Sequence, residues 1–216
     1  MPVDAVIFDL DGLIVDSEAV WDEARRRYVD QHGGTWREEA TRAMMGMSSV
    51  EWSRYVAEEL GVNLPPERIS ADVAGAVGDI YREQLPLIPG ATEAVERIAA
   101  RWPLGLASSS NRELIDLVLE LAGIDRHFRV TVSSEEVGAG KPAPDVYLEA
   151  ARRLGVEPGR CAAIEDSHNG ILSASAAGMR VIAVPNHEFK PDPEALAKAD
   201  VVLDSITELD EAAVAG

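Results

Sequence analysis

Short apolar segments alternate with helix-forming segments through the second half of the chain, and this alternation restricts the fold more than any other feature. The apolar segments are Leu104–Ala107, Phe128–Ser133, Cys161–Ile164, Val181–Val184 and Val201–Leu203. Helical patterns lie between them at Arg112–Leu121, Pro144–Leu154 and Asn169–Gly178. Because the segments are apolar throughout, without alternating polar positions, we predict the buried strands of a parallel sheet that has helices on both faces.

A further apolar segment begins at Val3 and ends at Phe8, and it predicts the first strand of the same sheet. Helical patterns follow it at Glu18–Asp30, Glu38–Met45, Ser49–Leu60 and Pro66–Glu83. We therefore predict a doubly wound, Rossmann-like α/β core of residues 1–16 and 86–216, with a small all-helical cap domain inserted at residues 17–85. The alanine-rich end, residues 211–216, is expected to be frayed.

The overall charge argues against several kinds of partner. The 216 residues include 38 acidic and 20 basic side chains, for a formal net charge of −18. Such a surface repels nucleic acids and anionic lipids, so we expect neither as a partner. No apolar run approaches a membrane span and no N-terminal signal pattern is found, so we expect a cytoplasmic protein, a monomer or a weak dimer. The single cysteine, Cys161, excludes an internal disulfide.

Two aspartates directly follow the first apolar segment, in the order Asp9-Leu10-Asp11-Gly12. Ligands of open α/β sheets bind at the carboxyl ends of the strands. If the backbone stays extended, Asp9 and Asp11 face one site, because alternate residues of a strand share a side. Two carboxylates so close require a cation, a lysine or a shared proton. The pair therefore predicts chemistry on a metal-bound anion.

Three later segments also follow predicted strands. Ser108-Ser109-Ser110-Asn111 offers hydroxyl and backbone N–H groups for an anion, although serines that cap a helix give the same pattern. Lys141 lies between glycine and proline in a loop that resembles a phosphate-binding Walker loop but departs from it, with Glu135 in place of the first glycine and Pro142 in place of the serine or threonine. Glu165-Asp166 ends another strand with two acids, which suit Mg²⁺.

In this order, the four segments resemble the motifs of the haloacid dehalogenase-like hydrolase superfamily. The first motif corresponds to residues 9–17, the second to Ser108, the third to Lys141 and the fourth to Glu165-Asp166. The predicted helical insertion is similar to that superfamily's small cap. The resemblance covers nearly the whole chain and is strongest to the branch of sugar-phosphate phosphatases and β-phosphoglucomutases.

This resemblance implies a reaction in two steps. Asp9 would attack phosphorus to form an aspartyl-phosphate, which water then hydrolyses. Asp11 would protonate the leaving alkoxide and later activate water. Lys141 and Mg²⁺ would offset the repulsion between the anionic substrate and the attacking carboxylate.

The same resemblance implies the ligands of the metal and of the phosphoryl group. Mg²⁺ would be bound by the Asp9 carboxylate, the Asp11 backbone carbonyl and Asp166, with Glu165 as a further ligand, directly or through water. The phosphoryl oxygens would be held by Ser108 and by the N–H of Ser109, and Ser110 and Asn111 are further candidates at the same helix start.

Two positions of the predicted cap depart from the mutases of this branch. Trp21 stands where they have a histidine, and Gly46-Met47-Ser48-Ser49 lacks the arginine that grips the second phosphate of a bisphosphate. A missing donor for one phosphate argues against mutase activity, although Arg42 or Arg54 is left as a substitute. Trp21 is also a candidate for stacking on the substrate.

Several neighbouring residues have structural explanations. The methionines Met44, Met45 and Met47 form either the cap's own core or an apolar cap mouth. We expect Asp16 to order the hinge by local side-chain bonds and Ser17 to cap the first cap helix. His168 is expected on a helix surface, because Mg²⁺ prefers oxygen ligands.

The sequence thus favours a Mg²⁺-dependent phosphatase that acts on small phosphomonoesters, with a phosphorylated small molecule as its partner. A phosphosugar mutase that uses the same aspartyl-phosphate is the alternative. A dehalogenase requires neither Asp11 nor Asp166, so both residues argue against it. A non-catalytic binding protein of this fold is disfavoured by the intact acids and Lys141.

Overall fold

The computed structural model describes residues 2–44, 47–186 and 190–216. Its strands are β1 (Ala5–Phe8), β2 (Leu104–Ser108), β3 (Phe128–Ser133), β4 (Cys161–Glu165), β5 (Arg180–Ala183) and β6 (Val201–Val202). They form one sheet in the order β3-β2-β1-β4-β5-β6, and every neighbouring pair is parallel. This is the doubly wound order, so the predicted fold class is confirmed.

Both faces of the sheet are covered, as the apolar strands require. The four residues of β1 are fully buried. Ala5 and Ile7 belong to one apolar cluster, whereas Val6 and Phe8 belong to another. Because alternate side chains of a strand point to opposite faces, the two clusters lie on opposite sides of the sheet.

Among the described residues, four helices lie between β1 and the rest of the sheet. They are α1 (Glu18–Gln31), α2 (Ala40–Met44), α3 (Ser49–Glu58) and α4 (Pro66–Glu83). We call residues 17–85 the helical insertion, and its described residues contain no strand. A capping box between Ser48 and Glu51 starts α3, and proline is the first residue of α4. Trp52 is buried in the same apolar cluster as Phe8, so the insertion packs against one side of the core.

The helices of the core are α5 (Ala91–Ala99), α6 (Arg112–Ala122), α7 (Asp145–Leu154), α8 (His168–Ala176), α9 (Pro193–Leu196) and α10 (Glu211–Ala215). The expectation of a frayed C-terminus is wrong, because α10 is anchored. The Asp210 carboxylate accepts a hydrogen bond of 2.8 Å from the Ala213 N–H, and Val214 is fully buried. Composition alone did not indicate this cap and anchor.

Among the described residues, the helices are too short or too polar to cross a bilayer.

Candidate active site

The turn after β1 carries the two aspartates. The Asp9 N–H donates to the Ile164 carbonyl at 3.0 Å, which holds Asp9 beside β4. The chain then turns at Gly12, whose φ is +76° and whose N–H donates to the Val15 carbonyl at 2.8 Å. The backbone therefore does not stay extended through Asp11, yet both carboxylate residues line the same cavity.

Asp9 is paired with Lys141. The Lys141 Nζ donates to Asp9 Oδ1 at 2.6 Å and to Glu165 Oε1 at 2.6 Å. All three side chains are buried. Although burial alone lowers the pKa of Lys141, the carboxylates of Asp9 and Glu165 raise it overall, so the ammonium stays charged. The segment between β3 and α7 thus supplies a fixed positive charge at the end of β1.

Glu165 is fully buried and saturated with hydrogen bonds. Oε1 accepts from Lys141 and, at 2.9 Å, from the Tyr147 hydroxyl. Oε2 accepts from the backbone N–H groups of Asp166 and Ser167 and from the Ser167 hydroxyl. This carboxylate therefore orients Lys141, and its direct coordination of a metal would require some of these bonds to give way.

Asp166 completes a cluster of three buried acids. Ligand atoms of Asp9, Glu165 and Asp166 lie within 4.8 Å of one another. Asp166 Oδ1 is buried without a hydrogen-bond partner in the described structure. A side chain on Gly12 would come within 2.1 Å of Asp166 Oδ2, so the first motif requires glycine at this close approach.

The electrostatics of this cluster fit a divalent cation. Burial raises the pKa of Asp9 to about 8; Lys141 opposes this rise, while Glu165 and Asp11 add to it. Burial, followed by Glu165 and Asp9, raises the pKa of Asp166 well above its ordinary value. One lysine faces three carboxylates, and hard cations take oxygen ligands, so the residues present fit Mg²⁺.

Asp11 points to the end of β2 instead. Its Oδ2 accepts from the Ser110 hydroxyl at 2.7 Å and from the Ser108 hydroxyl at 3.2 Å. Ser108 is fully buried and its Oγ also accepts from the Ser110 N–H. The second motif therefore contacts the first directly, which the separation in sequence did not reveal.

The next residues of this motif differ in their contacts. Ser109, Ser110 and Asn111 line the cavity. The Asn111 amide donates to Glu135 Oε1 at 2.7 Å and to the Ser70 hydroxyl of α4 at 3.2 Å. Glu135 also accepts at 3.0 Å from the Ser49 hydroxyl of α3. Asn111 and Glu135 thus connect the helical insertion to the core at the rim of the site.

The cavity lies between the carboxyl edge of the sheet and the helical insertion. Its volume is about 630 Å³. The core contributes Asp9, Asp11, Lys141 and Asp166, and the insertion contributes Trp21 among others. A volume of this size falls in the usual range for small-molecule sites.

Trp21 is largely buried, with 6% of its surface exposed. Its ring meets that of Trp52 edge-on, with centroids 5.7 Å apart. Trp21 therefore belongs both to the packing of the insertion and to the cavity wall.

Some of the other residues that the sequence indicated in the insertion line the cavity, and others do not. Met44 and Met47 line the cavity, and Met44 is buried, whereas Met45 and Gly46 lie outside the described residues. Arg42 also lines the cavity, but Arg54 is exposed on α3.

Three expectations about flanking residues have clear outcomes. Ser17 occupies the position before α1, but its side chain does not cap the helix, because its backbone is already helical. Asp16 is exposed, and its backbone N–H, not its carboxylate, ties the hinge by donating to the Pro86 carbonyl at 2.8 Å. His168 begins α8 as a half-buried residue at the cavity wall, with Nδ1 3.7 Å from Asp192 Oδ2.

The residues that sequence reasoning missed are Glu18, Arg25, Glu135 and Tyr147. Glu18 and Arg25 line the cavity and lie three residues before and four residues after Trp21, so helical periodicity alone would have placed them on its face. Tyr147 and Glu135 carry no comparable signal, because their partners come from distant segments.

A doubly wound sheet whose carboxyl edge presents buried acids, a lysine and a roofed cavity defines an α/β enzyme with its ligand site at the topological switch point. The family model "haloacid dehalogenase-like hydrolase" matches residues 3–178. The chain belongs to this family of hydrolases.

Relatives align with nearly the whole chain. Hexitol phosphatase B of Escherichia coli (strain K12) is 36% identical over 209 residues, covering 95% of this chain and 93% of that protein. The phosphorylated carbohydrates phosphatase of Thermotoga maritima is 33% identical over 202 residues, covering 93% of each. The crystal structure of CbbY from Rhodobacter sphaeroides in complex with phosphate superposes with a TM-score of 0.87 at 26% identity, covering 98% of this chain and 99% of CbbY.

Proposed function

We propose that this protein is a Mg²⁺-dependent phosphatase that hydrolyses small phosphomonoesters, sugar phosphates among them, through an aspartyl-phosphate on Asp9. The observation that carries the proposal is the buried Asp9 carboxylate, bound by Lys141 at 2.6 Å and facing a cavity of about 630 Å³. The names of the relatives support the phosphatase class and a carbohydrate body for the substrate.

Asp9 is the proposed nucleophile. Lys141 holds one carboxylate oxygen, which fixes the carboxylate and neutralises part of its charge. An anionic nucleophile that attacks an anionic phosphoryl group needs such compensation. Glu165 and Tyr147 act as positioning residues, because they hold the lysine through a fully buried carboxylate.

The metal would be held by Asp9, by the Asp11 backbone carbonyl and by Asp166, whose Oδ1 is buried and unpartnered in the described structure. Glu165 would contribute through water, because its oxygens are occupied by hydrogen bonds. A bound Mg²⁺ supplies charge stabilisation to the transferring phosphoryl group.

Asp11 is the proposed acid and base. It protonates the leaving alkoxide and then takes a proton from the attacking water. The hydroxyls of Ser108 and Ser110 orient its carboxylate. Ser109 and Ser110 line the cavity just before α6. The Ser110 N–H is bonded to Ser108 Oγ and the Asn111 amide to Glu135, so the Ser109 N–H is the proposed donor to the phosphoryl oxygens.

The helical insertion, residues 17–85, is the proposed cap domain on the core of residues 1–16 and 86–216. It supplies the wall opposite the acids, including Trp21, so substrate choice is assigned to it. The mutase alternative requires a donor for a second phosphate. Arg42 lines the cavity, but the position after residue 48 holds serine.

Cytoplasmic location, a monomeric or weakly dimeric state and the lack of nucleic-acid or membrane partners stay predictions from the sequence. The strongly acidic composition supports the last of these.

The experiment is a hydrolysis panel of small phosphomonoesters with Mg²⁺ and with EDTA, combined with Asp9→Asn. We expect Mg²⁺-dependent phosphate release and a loss of kcat of roughly a thousandfold or more in Asp9→Asn. Rapid acid quenching should trap a phosphoryl group on the wild type and none on the variant. Asp30→Asn on the exposed face of α1 is the control for the lost charge. Phosphate release by Asp9→Asn at the wild-type rate contradicts the proposal.

A further inference from the structure

Arg25 of α1 is a buried cation at the wall of the cavity. Only 8% of its surface is exposed, and it lines the cavity beneath the helical insertion. Its guanidinium carbon lies 4.9 Å from the ring centroids of both Trp21 and Trp52. Two aromatic faces therefore fix the planar group, which limits the entropy lost when it binds a ligand.

This guanidinium has no polar partner in residues 2–44, 47–186 and 190–216. Within those ranges its Nε is buried without a hydrogen-bond partner, and it forms no ion pair with an acid. Burial lowers the pKa of Arg25 to about 10, and Glu18 opposes that shift, so the group is charged at neutral pH. A buried donor without an acceptor is costly, and the cavity is the side from which an acceptor can reach it.

Glu18 supplies the complementary group on the same helix face. It lies seven residues before Arg25 and also lines the cavity. Its carboxylate makes no side-chain hydrogen bond within the described residues, and burial raises its pKa while Arg25 opposes the rise. On one face of α1, the cavity wall therefore presents an acceptor and a donor that have no side-chain hydrogen-bond partner within the described residues.

The hydroxyls of a polyhydroxylated body suit both groups, because a hydroxyl can donate its hydrogen to a carboxylate and can accept an N–H on its lone pairs. A carboxylate or a second phosphate would satisfy Arg25. It would also be repelled by Glu18 and Asp11, the two acids that raise the pKa of Arg25 most. An alkyl chain would leave both groups unpaired.

We propose that Glu18 and Arg25 form a hydroxyl-recognition site that selects phosphomonoesters with a neutral, polyhydroxylated body. This inference rests on the proposed phosphatase function and adds two specificity-determining residues to it. The guanidinium lies over the rings of Trp21 and Trp52, so the proposed hydroxyl contact is next to Trp21, the residue predicted to stack on the substrate.

The test compares three six-carbon substrates at saturating Mg²⁺: a hexitol monophosphate, n-hexyl phosphate and 6-phosphogluconate. Arg25→Gln should lower the ratio of kcat/KM for the hexitol phosphate to that for hexyl phosphate by roughly tenfold or more, as expected for a lost hydrogen bond to a charged group. Glu18→Gln should lower the same ratio by about threefold to tenfold. Arg27→Gln, on the exposed face of the same helix, should leave the ratio unchanged.

Other outcomes overturn the inference. An equal loss of kcat/KM on all three substrates would mean that Arg25 acts in folding or in the chemical step. Circular dichroism distinguishes these two roles, because only a folding defect changes the spectrum. A loss confined to 6-phosphogluconate would make Arg25 a site for a second anion. If Arg25→Gln does not fold, Glu18→Gln alone decides, and an unchanged ratio refutes the site. A wild type that hydrolyses none of the three would instead contradict the proposed function.

Discussion

Replacing Gly170 by alanine tests whether Glu165 is as rigidly held as its contacts indicate. Gly170 lies in the first turn of α8, and an added Cβ would come within 1.8 Å of Glu165 Oε1 and 1.9 Å of its Cδ. Ordinary contact requires about 3.5 Å, so the carboxylate must move by more than about 1.5 Å. Such a shift breaks the bonds of 2.6 Å to Lys141 and 2.9 Å to Tyr147.

The magnitude follows from three contributions. Overpacking costs about 1–3 kcal/mol. Each weakened hydrogen bond to the buried charge costs about 1.5–3 kcal/mol at most. The helix gains about 0.5–1 kcal/mol when glycine becomes alanine. Because two such bonds break, we expect a net loss of about 3 kcal/mol or more in the free energy of unfolding, and a lower kcat because Lys141 loses its anchor.

The assay is urea denaturation followed by circular dichroism, with Gly75→Ala as the matched control. Gly75 lies on the exposed face of α4, and an added Cβ would contact nothing within 4 Å. The same substitution should stabilise the protein there by about 0.5–1 kcal/mol. If Gly170→Ala proves as stable as Gly75→Ala, Glu165 is not held in place by its neighbours and its role in positioning Lys141 is refuted.

Two further predictions concern the same acids. Because burial raises the pKa of Asp9 to about 8, the folded protein without metal retains a proton that the unfolded chain loses, so stability should fall as pH rises from about 4 to about 8. Thermal denaturation should show Mg²⁺ stabilising the protein more at the upper end of this range than at the lower end, and an equal gain throughout would contradict the metal site. Tyr147→Phe removes one hydrogen bond from fully buried Glu165 and should cost about 1–3 kcal/mol in urea denaturation. The Tyr55 hydroxyl has no partner within the described residues, so Tyr55→Phe should hardly change the free energy of unfolding. Equal losses in the two variants would exclude a special role for the Tyr147 hydroxyl.

The four motifs were readable from the sequence because strand ends in a parallel sheet converge on one edge. The order of β1, β2 and β4 then brings Asp9, Ser108 and Asp166 together without further information. Apolar runs bounded by polar residues located these strands within one or two residues. The C-terminal helix was missed because its stability comes from the Asp210 cap and the burial of Val214.

What the sequence by itself determined is the sheet, the helical insertion and the identity of the acids and the lysine, since these follow from local patterns of polarity and spacing. Only the tertiary structure decided how the charges are shared. It placed Lys141 between Asp9 and Glu165 and Asp11 against the serines. Within the described residues, it left Glu18 and Arg25 without polar partners at the cavity. The physical reason is that burial and hydrogen bonding depend on side chains brought together from distant segments, and a one-dimensional pattern does not contain their distances.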